Sequence, residues 1–266
     1  MSYKSLLRST TALPSVVGIG LAFGGYALAG LPSNTTDRGG ANPEALPGVQ
    51  LAQATPCGVV GDDGVECFVP RLREAAEANP DAAAGGSPCN PCNPCAGGAV
   101  IELTPEEAAE AYACARELLQ EAYRVSGDPV ADAYADWDLY NTAPYLSALH
   151  GSRYVNNYGN APAESYGDWE DGGPMPVGAI LAKDSFVVGG DGTVGLGPLF
   201  LMEKMDAGFH PDSDDWKYSM ILPDGNLFGV TNGVNSNAVE FCAGCHVVAP
   251  VDHMYFLPPE FRVGGN

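Results

Sequence analysis

Apolar and polar positions along the chain change their spacing twice. From Thr104 the spacing is helical, with apolar residues at Ala108, Tyr112, Ala115, Leu118, Leu119 and Ala122, three or four positions apart. Thr104, Pro105 and Glu107 supply an N-cap, a first-turn proline and a capping-box acid, and Ser126-Gly127 closes the run. A second, shorter helix is predicted over Val130–Tyr140, stopped by Pro144. After His150 the runs become strand-like: "SRYVNNYGN", "AILAKDSFVV", "PLFLMEKM", "WKYSMIL" and "NLFGVT". Pro223-Asp224-Gly225 joins the last two as a hairpin. Upstream of Gly98 the chain is rich in Gly, Pro, Ala, Asn and Asp without a sustained period, and one short helix, Arg71–Ala78, interrupts it before Pro80. Helices first and antiparallel runs afterwards predict an α+β domain, an antiparallel β-sheet with packed helices, over residues 101–266. An irregular Gly/Pro/Cys-rich arm, residues 30–100, precedes it.

The first residues belong to neither regime. Lys4 and Arg8 lead into a small-residue apolar stretch from Val16 to Leu28, and "ALA" at 27–29 fits a signal-peptidase site. Residues 1–29 therefore read as a signal peptide and the protein as exported, most simply to a bacterial periplasm. No later segment has the roughly 20 apolar residues of a membrane span. Thirty-three acids against twelve Lys and Arg give a net charge of −21, which argues against nucleic acid or anionic lipid and keeps an acidic surface well solvated. A basic protein partner is compatible with it.

Eight cysteines in an exported chain point to oxidised pairs. Cys57, Cys67, Cys89, Cys92, Cys95 and Cys114 lie in the first half. "SPCNPCNPCAGG" presents three thiols at intervals set by proline; a disulfide knot and, behind it, a metal site are both open readings. Cys114 falls on the predicted helix and is expected to tie the arm to the domain. Cys242 and Cys245 stand apart near the other end, with His246 directly after them.

Lys183 sits inside "VGAILAKDSFVV", a run that otherwise reads as a buried strand. An ammonium in a dry sheet costs several kcal/mol unless it is paired or loses its proton. Either the side chain snorkels to an edge, or a site needs an amine at this position.

"FCAGCH", Phe241 to His246, carries the strongest chemistry. Two thiols two residues apart can add to the two vinyl groups of a haem, and a histidine immediately after the second is placed to ligate the iron. A redox dithiol would not need the histidine, and zinc would need two further ligands. Cys89, Cys92 and Cys95 have the same spacing but are followed by Asn93 and Ala96, so one covalent haem c is expected. Small electron-transfer cytochromes carry the motif near the start of an all-helical fold; here it follows a run of strands.

That order, "GAILAKDSF", then "MEKMDAGFHPDSDDW", then "CAGCH" with "DHMYF" behind it, resembles the cytochrome P-460 family and its relative cytochrome c′-β over roughly Tyr134 to Phe261. The resemblance implies an antiparallel sheet with helices, a homodimer, and His246 as the iron ligand. It also implies that Lys183 matches the lysine bonded to the porphyrin in hydroxylamine-oxidising members. Their distal carboxylate falls on Phe200; Glu203, three residues on, points to the other face of a regular strand. Arg153 is the candidate distal arginine, with a strand-edge ion pair as its plain alternative. An aromatic distal cap favours a small uncharged ligand such as nitric oxide.

Met202, Met205, Met220, Met254, His210 and His253 are the remaining candidates for a sixth ligand, most of them expected as core filler or surface. His150 heads a glycine turn and is expected to hydrogen-bond locally. Trp137, Tyr140, Trp169 and Trp216 are expected to pack around cofactor and core. The resulting expectation is an exported mono-haem c-type cytochrome with an open distal site, binding or oxidising small nitrogen compounds and passing electrons to a redox partner protein. The alternatives are an electron carrier with a six-coordinate haem, and a Cys-rich interaction module whose haem is partly structural.

Overall fold

A computed structural model describes residues 66–79 and 100–264. Residues 1–29, expected as a signal peptide, and Cys57, Cys89, Cys92 and Cys95 lie outside the described residues. Four α-helices are described: α1 (Pro70–Ala78), α2 (Pro105–Arg124), α3 (Pro129–Ala133) and α4 (Glu240–His246). Eight strands, β1 (Asp138–Leu139), β2 (Tyr145–Ser147), β3 (Arg153–Gly159), β4 (Ile180–Val188), β5 (Val194–Leu196), β6 (Leu199–Lys204), β7 (Trp216–Ile221) and β8 (Leu227–Val230), form one antiparallel sheet. Its order is β1-β3-β4-β6-β7-β8, with β2 on β3 and β5 on β4. The α+β prediction holds in this form.

The capping box predicted for α2 is present: Glu107 N donates to Thr104 Oγ1 at 3.2 Å and Thr104 N to Glu107 Oε2 at 3.0 Å. Ala108, Tyr112, Ala115 and Leu119 are its buried stripe. The Val130–Tyr140 helix is shorter than its pattern suggests. α3 passes into a 3₁₀ turn at Tyr134–Asp136, Trp137 is extended (φ −80°, ψ 171°), and Asp138–Leu139 pair with β3. Sheet pairing there displaces helix. The β7–β8 hairpin turns at Pro223-Asp224-Gly225 as expected, with Gly225 at φ 77°.

Residues 66–79, read from composition as part of the arm, pack on the domain. Cys67, Val69 and Leu72 join the core beneath α2, Phe68 bridges to Thr193, and Cys67 forms a disulfide with Cys114. The tie from Cys114 is therefore real, and the folded unit begins before residue 101. Among the described residues no helix is long and apolar enough to cross a membrane.

The sheet has two buried faces. Tyr154, Tyr158, Ala182, Phe186, Leu199 and Leu201 pack with α2, while Val155, Leu181, Met202, Trp216 and Tyr218 pack with the C-terminal segment, including Met254 and Leu257. Consecutive strand residues point to opposite faces, so Lys183 and Asp184, opposite in charge and adjacent in sequence, never meet. Asp184 turns toward α2 and accepts from Tyr112 (2.6 Å), Asn156 (2.9 Å) and Tyr134 (3.3 Å).

Burial raises the Asp184 carboxyl to about 6 despite these donors. The native state then holds a proton that the unfolded chain has released between about pH 4 and 6, so stability is highest below this window and falls as pH rises through it. The loss is about 3 kcal/mol. Chemical denaturation at a series of pH values should show this dependence in the wild type, and Asp184→Asn should flatten it.

Candidate functional site

The cysteine-histidine motif forms α4, packed against the end of β7. Cys242 and Cys245 are one helical turn apart on one side of α4. Both are free, Cys242 half-buried and Cys245 exposed. Burial raises the Cys242 thiol to about 12. His246 is buried at the end of the helix, and all three line a cavity of about 400 Å³ between α4, the C-terminal segment and the sheet.

The His246 ring is set by one bond. Its Nδ1 lies 2.8 Å from the carbonyl of His253; a carbonyl only accepts, so Nδ1 carries the proton and Nε2 keeps its lone pair. Metal-binding histidines are oriented in this way, by a partner on the nitrogen that does not bind. Burial, and then the charge of Lys183, push the ring down to about 4, so it is neutral near pH 7.

The carbonyl is positioned in turn by Asp252. Asp252 and His253 are both left-handed (φ 43° and 60°) in the turn that closes the Val251–Met254 bridge. That turn is held because the Asp252 side chain, 1% exposed, pairs with Lys204 Nζ at 2.6 Å and accepts from Met175 N at 2.7 Å, while Trp216 Nε1 donates to its carbonyl at 2.8 Å. "DHMYF" behind the motif is the sequence trace of this support.

Across the cavity stand the predicted sheet residues. Lys183 pairs in register with Asn157 on β3 and Phe200 on β6, and Phe200 with Met220 on β7, so Lys183, Phe200 and Met220 share a face. Lys183 and Phe200 line the cavity, as does Arg153, 4% exposed. Burial lowers the Lys183 ammonium to about 8, and among the described residues its Nζ has no hydrogen-bond or ion-pair partner at contact distance. The side chain does not snorkel to a sheet edge. Glu203 faces away, as predicted, and pairs with Lys217 on the other side.

Met202, Met220 and Met254 also line the cavity, whereas Met205 and His210 do not. His253 contributes its carbonyl, with its ring outside the cavity wall. Trp137, Tyr140, Trp169 and Trp216 pack in the two cores, as expected, but not in the cavity wall, where Tyr166, Tyr218 and Tyr255 stand instead. His150 is the residue that sequence reasoning missed. It does bond locally, Nδ1 to Ser147 Oγ at 2.9 Å, yet its ring also projects into the cavity, 5.0 Å from Phe200 and 6.3 Å from His246 between ring centres. Only its place three residues before Arg153 hinted at this.

These residues fit a tethered haem. The cavity lies within the roughly 300–1,000 Å³ of cofactor sites. It presents two free thiols and a bare imidazole nitrogen on one wall, and the buried Tyr218 hydroxyl beside them has no hydrogen-bond partner among the described residues. Among the described residues no group of three or more His, Cys, Asp or Glu side chains is arranged to hold a bare metal ion. No family model matches the chain, and no curated protein matches it.

The Asp252–Lys204 pair carries the support of His246. Asp252→Ala should cost about 3 kcal/mol in chemical denaturation, because it leaves Lys204, whose side chain is 11% exposed, without its close partner. Asp214→Ala, which removes the exposed 3.4 Å partner of the same lysine, should cost under about 1 kcal/mol.

Proposed function

We propose that the protein is an exported, periplasmic mono-haem c-type cytochrome of the P-460 kind, whose cavity binds or oxidises small nitrogen compounds such as hydroxylamine and nitric oxide. One observation carries the reading: the bare nitrogen of His246 opens on the same cavity as Lys183, Arg153 and Phe200. Cys242 and Cys245 would hold the haem by thioether bonds, and His246 would ligate the iron. The haem supplies the electron sink and, when reoxidised by a redox partner protein, the way out for electrons.

The chain's own part is binding and proton handling. Oxidation of hydroxylamine to nitroxyl, NH₂OH to HNO, releases two protons with two electrons. Lys183, held near 8 by burial, is partly neutral at working pH and can accept a proton inside the cavity. Arg153, always charged, orients an oxygen or nitrogen lone pair. Phe200 closes the wall against water. The resemblance implies a different role for Lys183, a bond to a porphyrin carbon, which would take its nitrogen out of proton transfer and leave that step to another basic group nearby.

A second reading, an electron carrier with a six-coordinate haem, is favoured by the ring of His150 and the sulfurs of Met202, Met220 and Met254 in the same wall. Hydroxylamine with an electron acceptor separates the two. The first reading expects acceptor reduction by the purified haem protein and a fall of about a hundredfold or more in Lys183→Ala. A haem protein that neither reduces the acceptor nor binds nitric oxide is the electron carrier of the second. Peptide mass after digestion reports the Lys183 bond directly: haem carried by the Lys183 peptide supports it, and haem on the cysteine peptide alone removes it.

A further inference from the structure

We propose that His150 is the distal ligand of the iron, closing the coordination position opposite His246 until a small ligand displaces it. The inference rests on the reading that a haem is tethered to Cys242 and Cys245, and it specifies the side of the cavity that this reading left to Lys183, Arg153 and Phe200.

Three observations support it. The first is spacing. A metal–imidazole bond is about 2 Å and the ring centre lies roughly 1 Å beyond the nitrogen, so two imidazoles on one iron have centres roughly 6 Å apart. His150 and His246 are 6.3 Å apart. Their planes are inclined by 62°, which is compatible, because axial rings rotate freely about the axis they share. The rings of Tyr218 and Tyr255 also contact His246, but at 5.4 Å each they are too close for an iron between them.

The second is the nitrogen left available. Ser147 Oγ engages His150 Nδ1 at 2.9 Å, which leaves Nε2 as the ring nitrogen open to a metal; the hydroxyl can accept from Nδ1–H, so the tautomer that a metal on Nε2 requires keeps this bond. The third is the backbone. His150 ends a 3₁₀ turn, Ala148–His150, and the next two residues, Gly151 (φ 79°) and Ser152 (φ 54°), are both left-handed before β3 begins. A serine in that region is uncommon and costs energy. The reversal folds the imidazole back over the sheet against Phe200, while the neighbouring Leu149 is 62% exposed.

The methionines compete less well. Met202, Met220 and Met254 line the cavity as buried side chains of β6, β7 and the C-terminal segment, and none has a contact with His246 like the 6.3 Å ring spacing of His150.

Electron paramagnetic resonance and absorption of the ferric protein, purified with its haem, test the proposal. The wild type should be low-spin, His150→Ala should be high-spin, and added imidazole should return the variant to low-spin. Nitric oxide should bind the ferrous variant about tenfold faster or more, since no imidazole has to leave first. Should His150→Ala fail to fold, His150→Gln, which keeps the volume and removes the ring, carries the same expectation. A high-spin wild type, or a low-spin one whose spectrum the variant leaves unchanged, overturns the proposal while leaving the haem in place. A protein that carries no covalent haem overturns the underlying reading instead.

Discussion

The hydrogen bond from His246 Nδ1 to the carbonyl of His253 is the contact on which the site depends. It decides which ring nitrogen faces the cavity, and a seven-residue helix by itself could not. The carbonyl is presented by two successive left-handed residues, a turn that the chain would not adopt unsupported. Its support is the buried Asp252 carboxylate, bound to β6 through Lys204 and to the segment before β4 through Met175, with the Trp216 indole of β7 on its carbonyl. The orientation of one imidazole is thereby referred back to the sheet.

The sheet in turn separates two kinds of chemistry by the alternation of its strands. On the α2 face a carboxyl is surrounded by tyrosine hydroxyls and an asparagine amide, a satisfied polar network that fixes how helix and sheet meet. On the cavity face the preceding residue of β4 is an amine with no partner at contact distance among the described residues. A protein that needed only a stable sheet would gain by pairing the two charges or replacing the lysine. Keeping them one residue apart, on opposite faces, is a cost that the reading of Lys183 as a functional group accounts for.

Local signals were legible in the sequence wherever the physics is local. The capping box of α2, the Pro-Asp-Gly hairpin and the alternation that sends Glu203 away from Phe200 were all readable from spacing. Lys183 stood out as a charge inside an apolar run and His246 by its place directly after two spaced thiols, whereas Arg153 and Phe200 came only from the resemblance of the strand order. What could not be read depends on tertiary contacts. The α3 region gives way to a strand because β3 offers it a partner, and Cys67 to Val69 look like loop because their core lies beneath a distant helix, although the short helix after them was legible. His150 points inward only because of the two left-handed residues after it, which one glycine in a sequence does not announce.

The central claim is that Cys242 and Cys245 carry a haem over this cavity. Intact mass of the acid-denatured protein, expressed in cells competent for cytochrome c maturation, tests it most directly. A mass equal to the polypeptide plus one haem, lost in a Cys242→Ser/Cys245→Ser double variant, is the predicted result. A polypeptide of unmodified mass and no colour contradicts it.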